Sequence, residues 1–297
     1  FSLFLQKQIN PTMKNLLKRS LTGVIYVALI VAAVLAGGWW FVSLFALFAI
    51  LAINEFANLT IAKNGGENVI TLISDIAGTL ILFVGLSCVN IGLLTPHTTA
   101  VLGGTFFIMY LLYMVIRLVM QLYSQEPSPL ASLAYSYMGQ MYIALPLGIM
   151  SMYYTLSDGA ALLLAMFIMI WLSDTGAFLV GSMIGKHKLF PRISPGKTWE
   201  GFFGGILFAT ASAFVMKYGF GIYFESIPLA ALCGMGVTVA IFATWGDLVE
   251  SLIKRTLGVK DSGNLLPGHG GILDRIDSLL LVIPASLIYL ITITLYI

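Results

Sequence analysis

The stretch from Thr244 to Ser278, TWGDLVESLIKRTLGVKDSGNLLPGHGGILDRIDS, gathers acids, bases and glycines in an otherwise apolar chain. Asp247 and Glu250 stand three residues apart, and Asp247 and Lys254 seven apart, so on a continuing helix they share one broad face. Beyond them come Lys260, Asp261, a Ser-Gly-Asn turn, the PGHGG run over 267–271, and Asp274 and Asp277 flanking Arg275. Aspartates among glycines at a polar membrane interface suit a hard cation such as Mg2+, which prefers carboxylate oxygen and keeps water or substrate phosphate as its other ligands. One histidine with no nearby cysteine cannot supply the usual ligands of zinc. Asp247, Asp261, Asp274 and Asp277 are therefore candidate metal ligands, against the plainer alternative of a web of surface salt bridges. His269 reads as a loop-ordering or substrate-adjacent residue rather than a proton-transfer catalyst.

A second polar region, Trp171 to Gly201, reads WLSDTGAFLVGSMIGKHKLFPRISPGKTWEG. Asp174 lies near one end of an apolar helix, where a carboxylate is costly unless paired, hydrated or bound to a cation. That cost marks it as a functional candidate, with helix capping or packing as the alternative. The SPGKT run, Ser194 to Thr198, invites comparison with a phosphate loop, but the first glycine position of that motif is Pro191 and the context is a membrane helix rather than a strand. Lys197, Ser194 and Thr198 can still offer a cation, two hydroxyls and backbone N–H groups to phosphate. Lys186 and Lys188 read as a basic surface for anionic headgroups, and His187 as an exposed loop residue.

These residues must be carried by membrane helices. The 297 residues are 59% hydrophobic and 9% charged, with a formal charge of +2 and a mean hydropathy of +0.97. That composition excludes an ordinary soluble protein and offers no basic surface for nucleic acid. A hydrocarbon layer needs roughly 20 apolar helical residues, and nine such runs are counted: Leu21 to Ala36, Trp39 to Phe56, Val69 to Leu94, Val101 to Leu118, Tyr135 to Tyr154, Gly159 to Val180, Gly201 to Met216, Pro228 to Thr244 and Ser278 to Ile297. The first two are separated only by Gly37 and Gly38, which could be a tight hairpin or a kink, leaving eight as the alternative. With nine spans and a cytoplasmic amino terminus, Lys217 alone among the basic residues falls outside, so the charge bias favours nine. The expected class is an all-α, polytopic integral membrane protein with its active site at the cytoplasmic face. It divides into a cytoplasmic segment (1–20), amino-terminal helices (21–157) and a carboxy-terminal catalytic region (158–297) with charged loops at 181–200 and 250–277. Gln121 to Ala134 reads as a connector without recognisable chemistry. Cys88 and Cys233, in separate apolar runs, suggest no disulfide or metal site. The dozen residues before Met13 read as an upstream extension.

The string SLIKRTLGVKDSGNLLPGHGGILDRID, Ser251 to Asp277, resembles the carboxy-terminal signature of the bacterial phosphatidate cytidylyltransferases, or CDP-diacylglycerol synthases. DTGAF (Asp174 to Phe178) and SPGKTWEG (Ser194 to Gly201) are similar to other regions of that family. One departure is visible, since the family commonly has lysine where Gly196 stands. The resemblance implies transfer of CMP from CTP to phosphatidic acid, yielding CDP-diacylglycerol and pyrophosphate. On the aspartate cluster and the likeness together, Asp247 and Asp261 are expected to hold Mg2+, with Asp274 and Asp277 in or next to its ligand set. Lys197 and Lys260 are expected on phosphate oxygens. Ser194, Thr198, Asp174, Lys254, Arg255, His269 and Arg275 complete the substrate contacts. A second cation such as K+ could be accommodated. The implied partners are CTP, phosphatidic acid and the bilayer, with a homodimer left open, and the implied location is the bacterial inner membrane. A transporter for an anionic metabolite, or another membrane transferase such as a lipid kinase, are the rival readings.

Overall fold

The computed structural model describes residues 22–63, 69–90, 94–263, 265 and 270–296. Apolar runs without internal breakers satisfy their backbone polar groups most economically as helix inside a bilayer, and helices dominate the chain. In order they are α1 (Thr22–Ala36), α2 (Gly38–Lys63), α3 (Val69–Asn90), α4 (Pro96–Leu122), α5 (Pro129–Gly139), α6 (Leu145–Ile149), α7 (Gly159–Ile184), α8 (Trp199–Gly219), α9 (Leu229–Leu257) and α10 (Leu273–Tyr296). Seven of them, α2, α3, α4, α7, α8, α9 and α10, are long and apolar enough to cross a membrane. The protein is a multi-pass, helical membrane protein.

Two junctions differ from uniform spans. Gly37 and Gly38 both take positive φ, 62° and 50°, which only glycine adopts freely. Tyr26 then stacks on Phe48 with ring centroids 5.8 Å apart. Residues that far apart along one straight helix would be separated by roughly 30 Å, so α1 and α2 form a hairpin and the kinked single helix is excluded. The run Tyr135 to Tyr154, read as one span, is composite: α5 passes into a π-helical turn (Gln140–Ala144), then α6, then a 3-10 segment (Met150–Thr155).

The charged loops are shorter than the sequence suggested. α7 runs to Ile184, after which β1 (Lys188–Phe190) and β2 (Ser194–Thr198) pair antiparallel and lead into α8. SPGKT is thus a strand, part of a two-stranded hairpin in an otherwise helical protein. α9 continues to Leu257 and α10 starts at Leu273, so Asp247, Glu250, Lys254, Asp274 and Asp277 are all helical. The 29 residues of α9 extend about 43 Å at 1.5 Å per residue, more than the roughly 30 Å of a hydrocarbon core, and its charges are confined to its last turns. α7, α8, α9 and α10 pack on one another, while α1 and α2 close over the other side through Phe41, Phe45 and Phe48. Lys217, the charge that fell on the opposite side from the rest, ends α8 away from the β-hairpin and donates to the carbonyls of Phe224, Glu225 and Ile227.

Arg117 and the 121–134 connector need correction. Arg117, one of the basic residues that the charge bias assigns to the cytoplasmic side, is 1% exposed and lies 3.6 Å from Asp75 of α3. It donates to Ser132, Ser136 and Gln121, and Gln121 donates to Glu126. The supposed connector therefore supplies half of a buried polar network.

Candidate active site

α9 presents Asp247, Glu250 and Lys254 along one face, as their spacing requires. α10 meets that face at its first turns. The meeting is close because Gly246 has no side chain: a Cβ there would come within 2.8 Å of the Asp277 carbonyl oxygen and of the Ser278 Cα. The residue before Asp247 thus lets α10 bring Asp277 alongside. Carboxylate oxygens of Asp247, Glu250 and Asp277 lie within 4.8 Å of one another.

Around this trio opens a cavity of about 700 Å3 lined by α7, both strands of the hairpin, α8, α9, Asp261 and α10. It contains six carboxylates, Asp174, Asp247, Glu250, Asp261, Asp274 and Asp277, against three cations, Lys197, Lys254 and Arg275. Lys197 reaches Asp247 at 2.8 Å and the Thr244 carbonyl at 3.4 Å. Lys254 bridges Glu250 and Asp274, the latter at 2.7 Å. Glu250 is 1% exposed and its second oxygen, Oε1, is buried without a hydrogen-bond partner among the described residues. A buried carboxylate oxygen left bare is expensive. Beside two further carboxylates, it is a position for a hard cation, so the donor set fits Mg2+.

The β-hairpin carries Lys197 into the cavity. Glu200, at the start of α8, accepts the N–H groups of Lys186 and His187, and the His187 carbonyl accepts the N–H of Trp199. Phe190 packs edge-on against Trp245 of α9, ring centroids 5.8 Å apart. Thr198 is the N-cap of α8, accepting the Gly201 N–H at 3.2 Å, and it lines the cavity with Gly196 and Gly201. A helix amino terminus beside a lysine is a ready site for phosphate oxygens.

Nine of the expected residues therefore converge on one cavity: Asp174, Lys197, Thr198, Asp247, Lys254, Asp261, Asp274, Arg275 and Asp277. Their roles within it differ. Asp261 and Asp274 line the cavity outside the carboxylate trio. Asp274 spends both oxygens on the N–H groups of Ser262 and Gly271 and on Lys254, bracing the loop. Ser194 stands at the far end of β2, opposite Phe190 and away from the cavity lining. Arg255 is exposed and donates to the Val259 carbonyl, closing the end of α9. Lys260 is exposed and does not line the cavity. His269 lies outside the described residues. Glu250 was visible as the i+3 partner of Asp247 but was not among the expected ligands. Glu55 of α2, which grips the start of α10, was not anticipated.

A second cavity of about 250 Å3 shares Asp174, Asp274, Arg275, Asp277 and Ser278 with the first and opens between α1, α7 and α10. Its other walls are mainly apolar, including Val27, Phe167, Ile170, Trp171 and Leu279. The acidic group thus has a polar approach and an apolar one.

Comparison with known proteins gives this arrangement relatives. A family model described as the cytidylyltransferase family matches residues 17–293. A phosphatidate cytidylyltransferase of Staphylococcus haemolyticus is 37% identical over 276 residues, covering 92% of this chain and 98% of that protein. Phosphatidate cytidylyltransferases of Staphylococcus epidermidis and Staphylococcus aureus are 46% identical over 158 and 160 residues, in each case 53% of this chain and 59% of theirs.

Proposed function

The chain belongs to the cytidylyltransferase family, and from that premise we infer its reaction: transfer of CMP from CTP to phosphatidic acid, forming CDP-diacylglycerol. A phosphatidate oxygen forms a bond to the α-phosphorus of CTP, the bond from that phosphorus to the bridging oxygen breaks, and pyrophosphate leaves. The phosphate monoester is already an anionic nucleophile, so no serine or cysteine nucleophile is needed. The difficulty is repulsion between phosphates brought together where screening is poor. One observation carries the reading: six carboxylates and three cations share a cavity at the polar end of membrane helices, which suits anionic substrates only when cations accompany them.

Asp247, Glu250 and Asp277 would hold Mg2+, with Asp261 and a second cation such as K+ able to join when substrates fill the cavity. Bound there, the ion would offset phosphate charge and stabilise the pyrophosphate leaving group. Lys197 is placed to exchange Asp247 for a phosphate oxygen, and the amino terminus of α8 at Thr198 orients a second. Lys254 ties Glu250 to Asp274 and so holds it beside Asp247 and Asp277. Lys260, Arg255 and Ser194 lie outside the cavity lining and take no part in this scheme. The larger polar cavity suits the nucleotide. The smaller cavity suits the phosphatidate headgroup, entering sideways between α1 and α7 with its acyl chains still in the bilayer and Arg275 at the junction.

The same reading assigns the inner membrane of a bacterium, nine spans counting α1 and the α5–α6 composite, and a cytoplasmic site, supported by the positive-inside bias. A homodimer is compatible with it. The test is purified protein in liposomes with phosphatidate, CTP and Mg2+, following liponucleotide and pyrophosphate together. Equal appearance of both, abolished by EDTA, is expected. Release of CDP with a phosphorylated lipid would instead mark a kinase, and solute flux without either product a transporter.

A further inference from the structure

Glu55 sits in α2, whose sequence from Gly38 to Ile53 is apolar but for Ser43. It is 8% exposed. A carboxylate so placed requires compensation, and among the described residues its hydrogen-bond partners come from more than 200 residues away. Its Oε1 accepts the Ile272 N–H at 2.8 Å, and its Oε2 accepts the Leu273 N–H at 3.0 Å and the Ser262 hydroxyl at 2.9 Å. Ile272 immediately precedes α10 and Leu273 is its first residue, where N–H groups have no acceptor within the helix, and a negative charge there also meets the positive end of the helix dipole. Glu55 is thus a cap for α10 supplied by a different helix. Ser262 is gripped twice, its hydroxyl by Glu55 and its N–H by Asp274. Two glycines make room: a Cβ on Gly271 would lie within 2.2 Å of Glu55 Oε2, and one on Gly263 within 2.9 Å of its carboxyl carbon.

The consequence reaches the reaction centre through α10. Asp277 lies one turn beyond Leu273, so the depth and rotation at which α10 begins fix where its carboxylate stands against Asp247 and Glu250. We propose that Glu55 is a positioning residue, a cap from the amino-terminal half that sets the register of α10 and so holds Asp277 in the metal-binding trio. The metal role of the trio rests on the function proposed above, whereas the cap itself does not.

Glu55→Gln keeps the volume but leaves one acceptor oxygen and turns an amide donor toward a backbone N–H. In the purified full chain, exchange of the Ile272 and Leu273 amides should accelerate by ~10-fold or more as this local closure weakens. The Mg2+ concentration for half-maximal CDP-diacylglycerol formation should rise ~10-fold or more, the range for groups that orient metal ligands. The Mg2+ needed for half-maximal protection against heat, without substrates, should rise with it. Ser262→Ala removes one bond of the three and should move all readings in the same direction by less. Unchanged amide exchange in Glu55→Gln would overturn the cap. Faster exchange with wild-type Mg2+ dependence, only the maximal rate being scaled, would overturn the positioning role and leave a fold-stabilising contact. Should Glu55→Gln fail to fold, wild-type values for Ser262→Ala overturn the proposal by themselves. A wild-type protein that makes no CDP-diacylglycerol sinks the reaction, and the exchange and heat-protection measurements still decide on Glu55.

Discussion

Two groups of charge lie within the helices, and they are built on opposite plans. In the amino-terminal half, Asp75 faces Arg117, one acid to one base, and the remaining capacity of both is taken up by Ser132, Ser136, Tyr113 and Gln121. Gln140, on the π-helical turn, donates to the Asp75 carbonyl. In the carboxy-terminal half, six acids share a cavity with three bases, and Glu250 Oε1 has no partner among the described residues. Depth alone does not separate them, since Arg117 and Glu250 are each 1% exposed. Balance and saturation do. A saturated pair has no capacity left for a ligand and ties α3, α4 and α5 together. An unbalanced, unsaturated group keeps capacity for a cation.

The largest expected effect removes a carboxylate from the unsaturated group. Asp277→Asn or Asp247→Asn keeps side-chain volume while deleting charge where the phosphates must be neutralised. Turnover at saturating substrates should fall ~100-fold or more, with thermal stability in detergent preserved or raised because acidic repulsion is relieved. Near-normal turnover in both variants at equal folded yield would break the assignment. Arg117→Met should do the converse. It strands Asp75 without its partner, a change that costs about 3 kcal/mol or more when a buried pair is broken, read as a lower unfolding temperature. Turnover per folded molecule should stay near wild type. Adding Asp75→Asn should recover part of the lost stability because it removes the stranded charge. If Arg117→Met instead lowered turnover without changing stability, the two groups would not be distinguished by saturation.

The same contrast explains what could be read before the fold was seen. Helix spacing alone placed Asp247, Glu250 and Lys254 on one face, and clustering along the chain put Asp274, Arg275 and Asp277 nearby. Local patterns of that kind survive folding. Asp75 and Arg117 did not declare themselves as a pair because 42 positions separate them in the sequence, and Arg117 near the end of an apolar run has the same appearance as a membrane-flanking charge. Glu55 was a lone acid in an apolar helix, the signal that singled out Asp174, yet its partners lie 207 to 218 residues away and two of them are backbone N–H groups that no residue type reveals. Asp274 looked like a ligand by composition. Its oxygens were claimed by Ser262, Gly271 and Lys254 only when the loop folded back.

Gly196 gives the finest test of whether the unsaturated cavity is tuned by its few cations. It stands beside Lys197 on β2, lines the larger cavity, and would meet nothing within 4 Å on gaining a Cβ. Its φ lies outside the positive range that favours glycine, so neither space nor backbone forbids a side chain. Gly196→Lys would set a second lysine beside Lys197 on β2, raising the cations around the cavity from three to four against the same six acids. The position is exposed, and a solvent-screened charge contributes only about 0.5 to 1 kcal/mol. The KM for CTP should therefore fall roughly two- to five-fold at low ionic strength, with kcat little changed, and the gain should shrink as salt is added. A salt-independent gain would mean that the new side chain acts by ordering the hairpin, and a raised KM would mean that the cavity needs its acidic excess at that corner as well as at the trio.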